Sequence, residues 1–223
     1  MSADSYLQIK EDIKQVALEC GRDPATIMLV AVTKGHPWPE VLPLYQEGCR
    51  NFGESRLQEA EIKMTHSPSD VHWHFIGPLQ KNKVRKVVDS FYLIHSVDSV
   101  ELAQKISACS QEAGVISLIL LEANTSGEAS KHGLSSSQWK QEFDKVRQLP
   151  GIQVKGLMTM APLVQDEKVI RHCFAKLREL RNELQKLDPA VKELSMGMSH
   201  DYPYAIQEGA TILRVGTALF TNL

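Results

Sequence analysis

The chain contains the stretch Ile27-Met28-Leu29-Val30-Ala31-Val32-Thr33, an unbroken apolar run that ends directly before Lys34. A short run of apolar, β-branched residues without polar alternation is typical of a parallel strand buried on both faces. Seven further short runs follow along the chain. The eight predicted strands are Ile27–Thr33, Arg50–Gly53, His72–Ile76, Phe91–Ser96, Val115–Ala123, Val154–Met160, Glu193–Met198 and Thr211–Val215.

Amphipathic segments of helical period separate these strands. An N-terminal helix comes first, with Leu7, Ile13, Val16, Ala17 and Cys20 predicted on its apolar face. The later helices are predicted near Trp38–Glu47, Glu54–Met64, Lys81–Asp89, Ser99–Ala113, Ser135–Gln148, Asp166–Lys186 and Tyr202–Glu208. This alternation predicts an α/β fold, a (β/α)8 TIM barrel preceded by an N-terminal helix. An open doubly wound sheet has the same periodicity and is the alternative.

Length and composition favour one soluble domain. The chain has 223 residues, which suits a one-domain α/β barrel, and no linker or low-complexity tract divides it, so we expect a single domain over residues 1–223. The 25 basic and 27 acidic residues give a net charge of -2, which argues against a nucleic-acid binder. The sequence also shows neither a membrane span nor a signal peptide, and its four cysteines are scattered. These features predict a cytoplasmic protein.

Lys34 is the first candidate for chemistry. In such a barrel, functional groups lie at the carboxyl ends of the strands. Burial of an amine there lowers its pKa and makes it a nucleophile toward aldehydes. A lysine at a strand end that simply extends to solvent is the alternative.

Ser199, Gly216 and Thr217 follow the last two strands, where barrels most often bind phosphate. Helix starts at these positions offer free backbone N–H groups, and Gly216 allows an anion to approach the backbone. Plain N-capping by Ser199 and Thr217 is the alternative.

Arg214 precedes Gly216 by two residues, on the same face of the strand and about 7 Å back along it. That distance matches the span from a phosphate arm to the far side of an attached aromatic ring. If the sheet closes, Lys34 approaches the same space, and Asn51, expected at the end of the second strand, comes next around the ring. This arrangement describes a site for pyridoxal 5'-phosphate (PLP).

Six stretches of the chain resemble the pyridoxal phosphate homeostasis protein family and cover nearly its whole length in order. They are Val30-Ala31-Val32-Thr33-Lys34, Asn51-Phe52-Gly53-Glu54, Trp73-His74-Phe75-Ile76-Gly77-Pro78-Leu79-Gln80-Lys81-Asn82-Lys83, Gly156-Leu157-Met158-Thr159-Met160, Leu194-Ser195-Met196-Gly197-Met198-Ser199 and Arg214-Val215-Gly216-Thr217-Ala218. The resemblance implies a barrel like the cofactor domain of alanine racemase (fold type III), with PLP held on Lys34 as a Schiff base. It also implies that Arg214 faces the pyridine nitrogen.

Eight residues are assigned to cofactor binding on this basis. They are Lys34, Asn51, His74, Met158, Ser199, Arg214, Gly216 and Thr217. The chain departs from the family at Gly35-His36-Pro37, where threonine-lysine-proline is more usual, and at Ser55-Arg56, where asparagine-tyrosine is more usual. These departures bear on how the loops at the barrel mouth close.

Arg214 also bears on catalysis. A guanidinium donates to the ring nitrogen and keeps it unprotonated, which weakens the electron sink that carbanion chemistry needs. Racemases with this arrangement add a tyrosine from a second domain or subunit, and 223 residues leave no room for such a domain. We therefore expect a monomeric protein that buffers PLP or delivers it through transient contact with apo-enzymes, with little or no catalysis.

Two other functions stay open. One is a PLP-dependent amino-acid racemase or α-carbon lyase that uses Lys34 with Tyr202 or Tyr204. The other is a generic phosphate-binding barrel without PLP.

Three other features have competing interpretations. His72 and His74 share one strand face, which allows a metal pair, but hydrogen-bonded histidines fit the lack of a third ligand better. Lys131, on the loop after the fifth strand, either meets incoming cofactor or is a plain surface lysine. The basic stretch from Lys81 to Lys86 is either a solvated face or a docking surface.

Overall fold

The computed structural model describes residues 2–128 and 131–220 of the chain. At its centre, eight parallel strands form a closed barrel in sequence order, with β8 hydrogen-bonded to β1. The strands are β1 Met28–Val32, β2 Asn51–Glu54, β3 His72–Phe75, β4 Leu93–Val97, β5 Ser117–Glu122, β6 Ile152–Met158, β7 Glu193–Ser195 and β8 Ile212–Val215. The predicted barrel is confirmed. The pairing of β8 with β1, from Met28–Ile212 to Ala31–Val215, excludes the open sheet.

Helices surround the barrel. Within the described residues they are α1 Ser2–Glu19, α2 Trp38–Gln46, α3 Leu57–Met64, α4 Val84–Val88, α5 Val100–Ala113, α6 Ser136–Arg147, α7 Glu167–Leu187, α8 Tyr202–Gln207 and α9 Thr217–Phe220. Local chemistry sets several of their ends. Ser135 and Gln138 form a capping box at the start of α6, and Gly114 ends α5 with a φ of 71° in the left-handed region. No helix in the described ranges is long and apolar enough to cross a membrane.

The barrel separates two apolar cores. A large core fills the space between strands and helices, and a smaller one lies inside the barrel. The inner cluster consists of Val30, Leu93, Leu120, Met158 and Ile212. Because strand residues alternate between faces, polar residues two positions from these members also point inward. The inner cluster therefore forms the apolar part of an interior whose remaining positions are polar.

The N-terminal helix α1 packs against the outside of the barrel through α2, α8 and α9. Its buried face consists of Tyr6, Ile9, Ile13 and Ala17. The predicted face was partly wrong, because Leu7 is 45% exposed and Cys20 is exposed. The face that α1 buries is rotated toward Tyr6 and Ile9, whose aromatic and branched side chains fill the space beside the barrel.

Candidate functional site

Lys34, Gly216 and Thr217 meet at the barrel mouth. They line one cavity of about 180 Å³, together with Val32. The closure of the sheet brings the end of β1 beside the end of β8, which is the juxtaposition expected from the sequence. Lys34 lies in an exposed turn, so the burial expected for its amine is not found. The amine instead stands where a ligand in the cavity can reach it.

Gly216 lines this cavity, and Ser199, which is not part of its lining, contacts the backbone at Gly216. The Ser199 hydroxyl oxygen accepts the backbone N–H of Gly216 at 3.4 Å and that of Ala218 at 3.3 Å. A Cβ at Gly216 would lie 3.1 Å from the Cβ of Val32, so a side chain there would crowd the wall of the cavity. In the structure the Ser199 oxygen therefore accepts from two backbone N–H groups at the start of α9, and a phosphate oxygen would bind the same kind of donor.

Arg214 is a buried cation beside this cavity. Its guanidinium donates from Nη1 to the Ser195 hydroxyl at 2.5 Å and from Nη2 to the Thr159 carbonyl at 2.9 Å. It forms no ion pair with any residue in the described part of the chain. Burial lowers its pKa to about 10, against the opposing charges of Asp201 and Glu122, so the side chain is still positive near neutral pH. A buried cation held only by neutral acceptors suits a ligand that accepts a hydrogen bond.

Asn51, His74 and Met158 lie deeper in the barrel. Asn51 begins β2, so the expectation that it ends that strand is wrong. Its Oδ1 lies 3.1 Å from Nε2 of the fully buried His74. Met158 packs in the inner apolar cluster. His74 and Met158 therefore belong to the barrel interior. Asn51 lines a different cavity, with Met28 and Arg50, while Lys34, Gly216 and Thr217 form the mouth itself.

His36 and Phe220 form the remaining wall of the Lys34 cavity. Their rings stack with centroids 3.8 Å apart and an interplanar angle of 12°, and His36 Nδ1 lies 2.8 Å from Oε2 of Glu40. Phe220 and its helix α9 were not predicted from the sequence. The start of α9 after Gly216 was visible as the predicted cap at Thr217, but the partner of Phe220 was not. The departure from the family at His36 therefore has a structural consequence, an aromatic wall beside Lys34.

A buried ion pair supports the turn that carries Lys34. Lys63 donates from Nζ to the Thr33 carbonyl at 2.5 Å and to the Glu54 carboxylate. The Thr33 hydroxyl donates to Oε1 of Glu54 at 2.5 Å. This buried group was not predicted from the sequence either. Its signal was a lysine at helical spacing from Leu57 and Ala60 on the buried face of α3.

Comparisons with known proteins agree with this geometry. Residues 6–222 match the family model described as alanine racemase, N-terminal domain. A pyridoxal phosphate homeostasis protein of Pseudomonas aeruginosa is 42% identical over 221 residues, 98% of this chain and 94% of its own. One from Aquifex aeolicus is 40% identical over 216 residues, 96% of this chain and 94% of its own. This chain belongs to the pyridoxal phosphate homeostasis protein family.

Solved structures of a related family protein and of an alanine racemase both resemble the fold of this chain. The structure of PipY from Synechococcus elongatus with PLP bound has a TM-score of 0.86 and 36% identity, and the match covers 99% of this chain and 100% of that one. The alanine racemase of Clostridium difficile has a TM-score of 0.79 at 16% identity and shares the fold, with 99% of this chain matching 57% of that one. The family barrel thus corresponds to part of the racemase chain.

The two tyrosines of the racemase hypothesis lie on the outer side of this family barrel. The Tyr202 hydroxyl interacts with Asp12 of α1, and burial together with this carboxylate raises the pKa of Tyr202. Tyr202 and Tyr204 both pack against the large core between strands and helices. The structure therefore does not bring either ring to the Lys34 cavity, whose lining includes neither residue.

The other sequence candidates have ordinary surroundings. His72 stacks on Tyr92, and no group of three metal-ligating side chains occurs among the described residues. Lys131 donates to the Met160 carbonyl at 3.0 Å. In the basic stretch, Arg85 pairs with Glu112 and Lys86 with Glu61. Structural partners thus account for His72, Lys131 and two residues of the basic stretch, and none of these candidates lines the Lys34 cavity.

The buried Glu122, at the end of β5, should make the free energy of unfolding depend on pH. Burial, with a smaller contribution from Asp98, raises its pKa from 4.5 to about 6. The folded state therefore binds the proton of the Glu122 carboxyl more tightly than the unfolded chain does. The stability that this protonation contributes is lost as the pH rises through about 6. Glu122→Gln should raise the free energy of unfolding at pH 8 by about 2 kcal/mol, with no gain below about pH 4.5.

Urea unfolding of both proteins between pH 4 and pH 8 measures this difference. Glu101→Gln, a change at an exposed position on α5, is the matched control and should show no pH-dependent gain. An equal gain for Glu122→Gln at every pH would contradict the assignment, because it would reflect packing rather than ionisation.

Proposed function

We propose that this protein binds PLP covalently but reversibly on Lys34, and that it buffers the cofactor or delivers it to apo-enzymes with little or no catalysis of its own. The observation that carries the proposal is the cavity that Lys34 shares with Gly216 and Thr217, two residues along the strand from the buried Arg214. The PLP-bound PipY structure, at 36% identity over 99% of this chain, supports it.

The residues present fit the parts of PLP. Ser199, Gly216 and Thr217 carry hydroxyl and backbone donors that would hold the phosphate, which would take over the Gly216 N–H from the Ser199 oxygen. When bound, the cofactor supplies an aldehyde. Lys34 would hold that aldehyde through its amine, with release of one water, and hydrolysis would free it again. Arg214 offers only donors, as an unprotonated ring nitrogen requires.

The same residues favour a carrier over a catalyst. A ring nitrogen beside a guanidinium stays unprotonated, so the ring withdraws electrons less strongly than it does beside a carboxylate. Neither Tyr202 nor Tyr204 supplies a second acid–base group, since both pack in the outer core. The exposed position of Lys34 leaves the linkage open to water and to other amines, which suits release of the cofactor.

Transient contact with apo-enzymes, a monomeric state, a cytoplasmic location and a single domain over residues 1–223 are further parts of this proposal. The exposed turn of Lys34 supports direct transfer, because an acceptor amine can approach it without a rearrangement of the barrel. Size-exclusion chromatography with light scattering measures the oligomeric state.

The test of the function is the spectrum of the wild-type protein with PLP. After unbound cofactor is removed, we expect an absorption band in the visible, which borohydride bleaches and converts to a stable adduct on the peptide containing Lys34. Pyridoxine 5'-phosphate, which has an alcohol in place of the aldehyde, is the matched control and should give no band. A colourless protein without adduct would sink the proposal, and equal retention of any sugar phosphate would favour the generic phosphate barrel.

The loaded protein also discriminates carrier from racemase. Exchange of the α-hydrogen of amino acids for deuterium should proceed no faster than with free PLP. Rapid, stereospecific exchange that disappears in Tyr202→Phe or Tyr204→Phe would instead establish an enzyme.

A further inference from the structure

A chain of hydrogen bonds crosses the inside of the barrel and joins Asn51 to Arg214. His74 Nδ1 lies 2.9 Å from Nε2 of His95, and His95 Nδ1 lies 2.8 Å from the Ser195 hydroxyl. The oxygen of that hydroxyl also accepts a hydrogen bond from the Arg214 guanidinium. His95 is on β4 and Ser195 is on β7, so this link spans strands that are not neighbours in the barrel. His74, His95 and Ser195 are all fully buried.

The arginine sets the direction of this chain. A guanidinium only donates, so the Ser195 oxygen accepts from Arg214 and its own proton is directed to Nδ1 of His95. A neutral imidazole that accepts at Nδ1 carries its proton on Nε2. His95 therefore donates to His74, and His74 donates to Oδ1 of Asn51 by the same rule. Every donor in the chain then meets an acceptor.

The opposite direction leaves a group unsatisfied. If His95 donated to Ser195, that hydroxyl would accept from both sides and its own proton would lack an acceptor along the chain. An unpaired buried polar group is costly. Burial lowers the pKa of His74 to about 3 and that of His95 well below its usual range, which keeps both rings neutral as this direction needs.

The direction fixes what the two ends present to a ligand. The amide oxygen of Asn51 is engaged by His74, which leaves its N–H groups as donors. Arg214 is held by two neutral acceptors and keeps its positive charge uncompensated by contact. Both ends of the chain therefore carry hydrogen-bond donors, the Arg214 guanidinium at one end and the Asn51 amide N–H groups at the other.

Resting on the proposed function, we propose that His95 and Ser195 are positioning residues that hold the Arg214 guanidinium as a fixed donor to the ring nitrogen of PLP. They contact Arg214 or each other rather than the cofactor cavity. Without the Ser195 oxygen the guanidinium loses one of its two anchors. Without the His95 acceptor, the Ser195 hydroxyl proton has no acceptor along the chain. The hydroxyl can then rotate so that its proton, rather than its lone pair, faces Arg214.

The experiment compares PLP with its analogue in which a C–H group replaces the ring nitrogen. Titration of the visible band gives the Kd of each. We expect the wild-type protein to prefer PLP by about tenfold or more, since a hydrogen bond to a charged group is lost with the analogue. Ser195→Ala and His95→Phe should reduce this preference to less than about threefold while borohydride still traps the cofactor on Lys34.

Ser110→Ala is the matched control. Ser110 and Ser117 are a buried serine pair with hydroxyls 2.8 Å apart in the outer core, without contact to the site. This variant loses a buried hydrogen bond as Ser195→Ala does, and it should keep the full preference for PLP. If His95→Phe does not fold, Ser195→Cys replaces it, because a thiol accepts only weakly and should give the same loss.

The outcomes separate the two proposals. A wild-type protein that binds neither probe contradicts the proposed function. A wild-type protein that binds both probes equally, or a Ser195→Ala protein that keeps the wild-type preference, overturns the positioning role of Ser195 and His95 and leaves the proposed function standing.

Discussion

Replacement of Lys34 by alanine is expected to abolish both the visible band with PLP and the borohydride-stable adduct. Lys34 is the lysine that lines the cavity with Gly216 and Thr217, so the aldehyde loses its covalent partner there. The phosphate and ring contacts remain, and the variant should retain PLP at least about 100-fold more weakly, a loss of about 3 kcal/mol or more. Equilibrium dialysis measures the retention and absorbance measures the linkage.

Two control variants distinguish the loss of the nucleophilic amine from the loss of a positive charge. Lys105→Ala, at an exposed position on α5, should behave as the wild type. Lys34→Arg keeps a positive charge but offers no nucleophilic amine near neutral pH, so it should be as colourless as Lys34→Ala. A full-strength band in Lys34→Ala, with the adduct on another lysine such as Lys131, would show that the covalent site lies elsewhere.

The position of Lys34 beside Gly216 followed from the sequence because it depends on only two conditions, the periodicity of the strands and the closure of the sheet. Alternating strands and helices predict the barrel, closure of the barrel puts β8 beside β1, and residues at matching strand ends then meet. Side-chain contacts do not follow in this way. The stack of His36 on Phe220 and the link from His95 to Ser195 join segments distant in the chain, and their formation depends on rotamers and on packing. Asn51 was misplaced because it stands at the start of this strand, both in the predicted range Arg50–Gly53 and in the observed range Asn51–Glu54, so its distance from the carboxyl end was overlooked.

Glu54 illustrates the same limit. It was predicted to begin the helix Glu54–Met64, yet it is the last residue of β2 and is fully buried. Only the three-dimensional position of Lys63 on α3 explains how a carboxylate is tolerated there. The residue that counters this charge belongs to another element, and the pairing is visible only once α3 is packed against the barrel.

Replacement of Lys63 by methionine is accordingly expected to destabilise the protein strongly. Lys63→Met leaves the Glu54 carboxylate buried without a cation, and Oε2 of Glu54 already lacks a hydrogen-bond partner within the described residues. The free energy of unfolding should fall by about 3–5 kcal/mol. For a domain whose total stability is about 5–15 kcal/mol, this is a large fraction. Urea denaturation followed by circular dichroism measures it.

A second charge removal and a surface control identify the cause of this loss. Lys63→Met/Glu54→Gln removes both charges and should recover about 1–3 kcal/mol relative to Lys63→Met, because no unpaired ion is left in the core. Lys86→Met breaks the exposed pair with Glu61, whose side chains are 67% and 40% exposed, and should change the stability by less than about 1 kcal/mol. If Lys63→Met were no more destabilising than Lys86→Met, the ion pair would not be what anchors Thr33. The turn that presents Lys34 would then depend on its backbone alone.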